Sequence, residues 1–589
     1  MHSQPSRGAL RWRLSLGVLL TAVLAACGGG DDSGSSSVWP ADRALTDPNH
    51  YAAYQDPQAS LSAAYRNGPN GGAGSKDVDV ANASLAQSAV DETPATKHHR
   101  AVINGQTIEY TARAGHLIAW APKSPNNPAQ RDAEASIFYM SYTRDDIPHA
   151  QRPVTFIFNG GPGEPSIWMH LGAWAPKRLK IDAPNLPPGP NIPDSFPLID
   201  NPQSLLDQTD LVYVDIAGSG FSEAIAPHKN QDFWSTDADA GIFRDFITAY
   251  INRYNRQSSP KYLFGESYSG IRTPIVADLL VQAGTSNYAP DPSGAKPIVL
   301  SGMVLQSPIL DYGYLSTQGD AREGFFPTVG MVVDFYGKST ARGTMTEPQY
   351  ADYLRSFTTA QYAPGLAASN FPPATVSQLS AITGLPASTQ MKDWLAIDPN
   401  GLLFNSVASA IYPNAAASAQ FNAYDGRIST TANIKYDISS YEDAGFYGAI
   451  KPLLLDQFGY QNQDPAQIYG SDIAFNFWNW NAPHRGSTNP SSVPDLAETL
   501  TLDPSVKVLV IHGYHDGVTP FFQTELDLQH GGVWPAAAGQ TPRITVKEYD
   551  GGHMAYLTEA SRDPMRADLR QFYNASAPAA AVVRQQKAG

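Results

Sequence analysis

The sequence predicts an α/β protein: a mostly parallel central sheet flanked by helices, with an inserted, mainly helical cap. Three observations carry this. Short apolar runs of strand length, such as Val154 to Phe158 and Leu211 to Asp215, are cut off by glycine-rich turns. Stretches of helical spacing stand between them, as in Phe243, Phe246, Ile247, Tyr250, Ile251 and Tyr254. The alternation stops near Pro308 and resumes at Val506, with a long block rich in aromatics, Ala, Ser and Pro between.

The composition suits this class. A chain of 589 residues has room for a large core and two structural units. Apolar residues at 42% and charged residues at 16% fit a globular protein rather than a disordered one. A formal net charge of -15 excludes nucleic acid as an expected partner.

The elements follow in order. Arg7, Arg11 and Arg13 precede an apolar run, Leu14 to Ala26, that is too short to span a bilayer. Residues 1–26 therefore read as a signal peptide. Leu24, Ala25, Ala26 and Cys27 resemble a bacterial lipobox, which makes Cys27 the lipidated first residue of an exported protein. The expected location is the bacterial cell envelope, periplasm or outer membrane, with membrane attachment through the lipid alone. Cys27 is the only cysteine, so no disulfide is expected.

Residues 27–95 are rich in Gly, Ser, Asp, Ala, Asn and Pro and read as a flexible tether and lead-in. Order is expected from near Ile108, where I-E-Y-T-A alternates, and the run Ser136 to Tyr142 offers an antiparallel partner. The first catalytic part covers 96–311 and includes strands at Val154, Leu211, Tyr262 and Val299. The cap covers 312–502, with short helices such as Pro348 to Phe357. The second catalytic part, 503–575, holds strands at Val506 and Ile544 and a helix from Glu559 to Tyr573. A tail, 576–589, ends the chain.

Tyr262, Leu263 and Phe264 run into Gly265, Glu266, Ser267, Tyr268, Ser269 and Gly270, and the chain then turns helical. A strand that breaks at a glycine, presents a serine and enters a helix is a nucleophile elbow. The usual pattern is G-x-S-x-G; here the fifth position is Ser269, still a small residue. Ser267 is the candidate nucleophile, and it needs a base to take its proton. His553, in D-G-G-H-M after the last strand, is the candidate base, ahead of His512, His515 and His530. Asp516, in H-G-Y-H-D-G-V-T-P, is the candidate orienting acid, with Asp550 as runner-up. Chain order Ser, Asp, His is that of the α/β-hydrolase triad, so the sheet is expected to have the α/β-hydrolase fold. The N-G-G-P-G turn at 159–163 brings backbone N–H groups close to a ligand, and Gly161 and Tyr268 are the candidate oxyanion-hole donors. No cofactor or metal is expected: His512 and His515 flank one strand end without a third ligand at metal spacing.

Together, F-N-G-G-P-G, V-D-I-A-G-S-G-F-S, G-E-S-Y-S-G, H-D-G-V-T-P and G-G-H-M resemble the serine carboxypeptidases, particularly their bacterial branch. Asn201 to Leu205 (N-P-Q-S-L) fits as well. The likeness covers roughly 100–310 and 503–573. It implies that Ser267, Asp516 and His553 form the triad, and that Asn159, Gly160 and Glu266 hold the substrate's C-terminal carboxylate. Glu266 can bond a carboxylate only when one of the two carries a proton, which favours acidic pH. The chain departs from the family in three places. Pro162 to Ser166 reads P-G-E-P-S where many members read P-G-C-S-S. Tyr514 stands where an aspartate is common. His170 stands where many members carry a carboxylate-binding glutamate, and as an imidazolium it would pair with a carboxylate.

The expected activity is removal of C-terminal residues from peptide substrates through an acyl-enzyme. The alternatives are an esterase or acyltransferase on the same scaffold, and a non-catalytic surface-binding lipoprotein.

Overall fold

The computed structural model describes residues 54–56, 80–123, 131–148, 152–191, 196–313, 321–395, 406–414, 419–430, 436, 441–462 and 473–576. The signal peptide, Cys27, most of the tether and the residues beyond 576 lie outside them.

Nine strands build the main sheet: β1 (Ala95–Ile103), β2 (Gln106–Trp120), β3 (Ala133–Arg144), β4 (Val154–Phe158), β5 (Asp210–Val214), β6 (Lys261–Glu266), β7 (Gly302–Gln306), β8 (Lys507–Gly513) and β9 (Ile544–Tyr549). They lie in the order β9-β8-β7-β6-β4-β5-β3-β2-β1, and the two-residue strand Glu223–Ala224 also pairs with β3. The six strands from β9 to β5 are parallel, and β3, β2 and β1 continue the sheet antiparallel. This is the sheet of an α/β hydrolase. The sheet starts earlier than the sequence predicts, at Ala95 rather than near Ile108. Lead-in residues Val80 and Ala81 are already core.

Helices cover both faces, which is why the inner strands read as unbroken apolar runs. All five residues of β4 are buried. Alternate side chains serve opposite faces: Ile157, Tyr213, Phe264, Val304 and Ile511 enter one core. Phe156, Val212, Leu263, Leu305 and Val510 enter the other. Full burial of each such side chain stabilises the fold by about 1.5–3 kcal/mol. Helices α1 (Thr236–Arg253) and α2 (Ser269–Ala283) pack on the second face.

Between β7 and β8 lie α3 (Ala321–Phe335), α4 (Glu347–Phe357), α5 (Pro373–Thr383), α6 (Tyr441–Leu453) and α7 (Val493–Leu502). Helices α3 to α5, with Trp394, Val407 and Ile411, build a core of their own. They share it with Tyr514 and with Phe521, Phe522 and Leu526 of α8 (Phe521–His530). The rest of the block does not stand apart from the sheet. Phe446, Ile450 and Leu453 of α6 join one sheet core. Val493, Leu496 and Leu500 of α7 join the other, beside α2. The last helix, α9 (Glu559–Ser576), closes the α6 face.

Chain order fixes where a ligand belongs. From β4 the chain moves to β5 on one side; from β6 it moves to β7 on the other. The crevice between two neighbouring strands whose connections diverge, at their C-terminal ends, is the usual binding site of such sheets.

Candidate active site

Register brings the first two motifs together. Gly265 on β6 pairs with Phe158 on β4, so the residues that follow, Ser267 and the Asn159–Gly163 turn, leave the sheet side by side. Ser267 adopts φ +61°, a left-handed value that L residues rarely take. Its N–H donates to Gln306 O at 3.0 Å, and its carbonyl accepts from Gly270 N at 2.8 Å and Ile309 N at 3.1 Å. A Cβ on Gly265 would stand 2.1 Å from Thr273 Oγ1 and 2.6 Å from Ser269 Cβ, so only glycine lets strand and helix meet here. The missing glycine at 269 has a reason: the buried Ser269 Oγ donates to Asn159 O at 2.7 Å, tying the elbow to the turn.

The turn lies directly on the elbow. A Cβ on Gly160 would fall 2.5 Å from Tyr268 N, 2.7 Å from Glu266 O and 2.7 Å from Ser267 Cβ. Gly161 holds φ +101°. Tyr268 caps the start of α2, where the first N–H groups of a helix have no partner within it. Both candidate oxyanion donors therefore belong to segments in contact.

Asp516 and His553 meet at the ends of β8 and β9. His553 Nδ1 lies 2.8 Å from Asp516 Oδ2, with the carboxylate fully buried. Asp516 also accepts from Val518 N at 2.8 Å, Thr519 N at 3.0 Å and Thr519 Oγ1 at 2.7 Å. These donors fix the plane of its carboxylate. A Cβ on Gly513 would stand 2.1 Å from Gly552 O, so the histidine loop rests closely on the end of β8.

Glu266 links the two halves. It is buried, accepts from Asn159 Nδ2, and feels the charges of His553 and Asp516. Burial pushes its carboxyl up to about 7; His553, Tyr556 and Asn159 pull it down, and Asp516 pushes it further up. Asn159 in turn accepts from Met169 N at 3.0 Å through Oδ1.

Several contributors carried no sequence signal of their own. Buried Arg272, held by Asp239 at 2.7 Å, donates to Asn159 O. Ser307, at φ +42°, donates to His553 O at 2.7 Å. Tyr424, from the block between β7 and β8, accepts from His553 N at 2.6 Å and sets its ring edge-on, 5.4 Å from the imidazole. Thr519, which bonds Asp516, stands in the H-D-G-V-T-P motif itself.

The departures from the family pattern resolve individually. Glu164 accepts from Trp168 Nε1 at 3.2 Å and Tyr447 OH at 3.3 Å. Tyr514 is a packing residue, edge-on to Phe521. His170 corrects an expectation. It is fully buried beside Tyr142 and Tyr213, with Nε2 2.7 Å from Tyr142 OH. Burial lowers its pKa to about 3, so it is neutral and does not act as an imidazolium. His512, also fully buried, is likewise held down to about 3 by burial.

Residues 106–334 match the family model described as serine carboxypeptidase. Among curated proteins, the chain is 30% identical to a carboxypeptidase Y homolog of Arthroderma benhamiae over 172 residues, 29% of this chain and 30% of that protein. It is 28% identical to serine carboxypeptidase-like 44 of Arabidopsis thaliana over 226 residues, 38% of this chain and 41% of that protein. The chain thus spans less than half the length of these relatives. Among solved structures, a prohormone-processing carboxypeptidase from Saccharomyces cerevisiae aligns with TM-score 0.47 and 16% identity, over 79% of this chain and 91% of that one.

Proposed function

We propose that this chain is a serine-type carboxypeptidase. Ser267 attacks the scissile carbonyl, and His553, oriented by Asp516, takes the hydroxyl proton and returns it to the leaving amine. Gly161 and Tyr268 N–H groups stabilise the oxyanion. Asn159, Gly160 and protonated Glu266 hold the substrate's terminal carboxylate. The observation that carries this reading is Glu266: a buried carboxyl with a pKa of about 7, bonded to Asn159 and next to the Asp516–His553 pair. The likeness of residues 106–334 to serine carboxypeptidases supports the same reaction.

An esterase or acyltransferase is the second reading, favoured by one observation: His170 is neutral and buried, so it cannot supply charge to a substrate carboxylate. Rates on a blocked dipeptide, its C-terminal amide and a simple ester decide between them. The first reading expects the free acid to be cleaved well and the amide poorly. Equal rates on acid and amide would support the second. Ser267→Ala should lower kcat on the peptide by roughly 10⁴-fold or more and abolish fluorophosphonate labelling. A loss below about tenfold refutes the nucleophile assignment.

The family's bacterial branch, export and a lipid on Cys27 belong to the same proposal. The support is the run of arginines, the short apolar stretch and L-A-A-C. Mass spectrometry of the N-terminal peptide from a bacterial membrane fraction tests the lipid.

A further inference from the structure

A second cluster lies beside the proposed triad. Glu347 opens α4; His515 precedes Asp516; Asp550 sits three residues before His553. One ligand atom from each lies within 4.8 Å of the other two. The His515 side chain is 2% exposed, and its Nδ1 has no hydrogen-bond partner. That nitrogen faces Asp550 Oδ1 at 3.5 Å. Two ligands about 2.1 Å from a tetrahedral ion stand about 3.4 Å apart, so this pair already has the spacing of an ion's coordination edge.

The surroundings fit a cation. The backbone on both sides of the ring is pinned: His515 N donates to Gly551 O at 2.8 Å, and His515 O accepts from Gly426 N at 3.0 Å. The Met331 and Gly551 carbonyls lie beside the ring, and the Phe335 ring stands edge-on to it. Arg427 donates to Asp550 Oδ1 at 2.6 Å, the same oxygen that faces His515 Nδ1, while gripping Asp425, and so fixes where that oxygen stands. Arg342 pairs with Asp334 nearby. Four carboxylates, Glu347, Asp550, Asp334 and Asp425, thus face two guanidiniums. The excess is negative.

We propose that Glu347, His515 and Asp550 bind one divalent cation of the zinc class, which accepts mixed nitrogen and oxygen ligands. The ion ties the start of α4 to the two loops that carry Asp516 and His553. The sequence hid the site because its ligands come from three distant segments. The ion is a brace and takes no part in bond making.

The test uses the tag-free protein, stripped with chelator and dialysed against Zn²⁺ or Ca²⁺, with metal content and titration as readouts. Wild type should hold one equivalent of Zn²⁺ and melt higher with it. Glu347→Gln, at a half-buried position, should bind at least tenfold more weakly and lose most of the thermal shift, and Asp550→Asn should do the same. No Zn²⁺ above background, retention of Ca²⁺ in preference to Zn²⁺, or equal binding by Glu347→Gln overturns the site. None of these outcomes bears on the peptidase reading, which is tested on Ser267.

Discussion

Glu266 sets the pH behaviour expected of the proposed enzyme. Its carboxyl is raised to about 7, above the usual glutamate value, chiefly by burial. It is therefore protonated, and able to donate to a substrate carboxylate, below about pH 7, and it loses that proton as pH rises. kcat/KM for a peptide with a free C-terminus should fall as pH rises through 7, while an ester without that carboxylate lacks this limb. Glu266→Gln keeps a donor at all pH values and should remove the limb. A peptide profile that stays flat from pH 5 to 8.5 in wild type would dismiss Glu266 as a carboxylate partner. Local chemistry made such residues legible: a serine between glycines after a strand, an aspartate before a glycine, a histidine after two. Arg272, Ser307 and Tyr424 were not legible. Each acts on a backbone carbonyl or amide that sequence spacing cannot bring near it.

Among the elements, β4 to β8 were legible because both faces of these strands are buried, and burial on two sides leaves an unbroken apolar run. β1 was not. Its sequence, A-T-K-H-H-R-A-V-I, is half-buried along most of its length and has neither a run nor an alternation. The helix pair α1 and α7 shows what polar residues do in such packing. His484 lies between them, with Nδ1 2.6 Å from Asp237 at the start of α1 and Nε2 2.9 Å from Asp495 on α7. Burial pulls its pKa down, but the bonds to both carboxylates outweigh this and hold it up to about 9. A raised histidine stabilises the fold fully below its unfolded value, near 6.5, and the contribution is lost as pH climbs through about 9. The melting temperature should therefore drop between pH 7 and 10, and His484→Gln should flatten that drop. Parallel curves for the two proteins would show that His484 is not the group responsible.

Across the whole molecule, the helices between β7 and β8 are held to the sheet by charge as well as by packing. Arg355 on α4 reaches Glu525 on α8 at 2.6 Å and Glu548 on β9 at 2.7 Å. Burial raises Glu525 to about 7 even though Arg355 pulls it down, and Glu548 adds to the rise. Arg355→Met would leave two adjacent carboxylates without their cation, a loss of about 3 kcal/mol at pH 8. The loss should shrink at pH 5, where Glu525 is protonated. Denaturant unfolding at both pH values measures this, and equal losses would mean that the guanidinium's charge is not what holds the helices. Little of this arrangement was legible. The sequence predicts one cap over 312–502, yet α6 and α7 are built into the sheet's own cores, and among the described residues the run through α3, α4 and α5 builds a third core, shared with α8. Amphipathic helices show that a face is buried, but not against what.

The contact between Tyr424 and His553 has a consequence for engineering. The loop that carries the imidazole hangs its own amide on a carbonyl supplied from outside the α/β scaffold. The region between β7 and β8 is thus not an interchangeable module. A chimera that transplants a foreign roof at that junction would also remove a hook from which the candidate base is suspended, and it would have to rebuild that hook before substrate preference could be retuned.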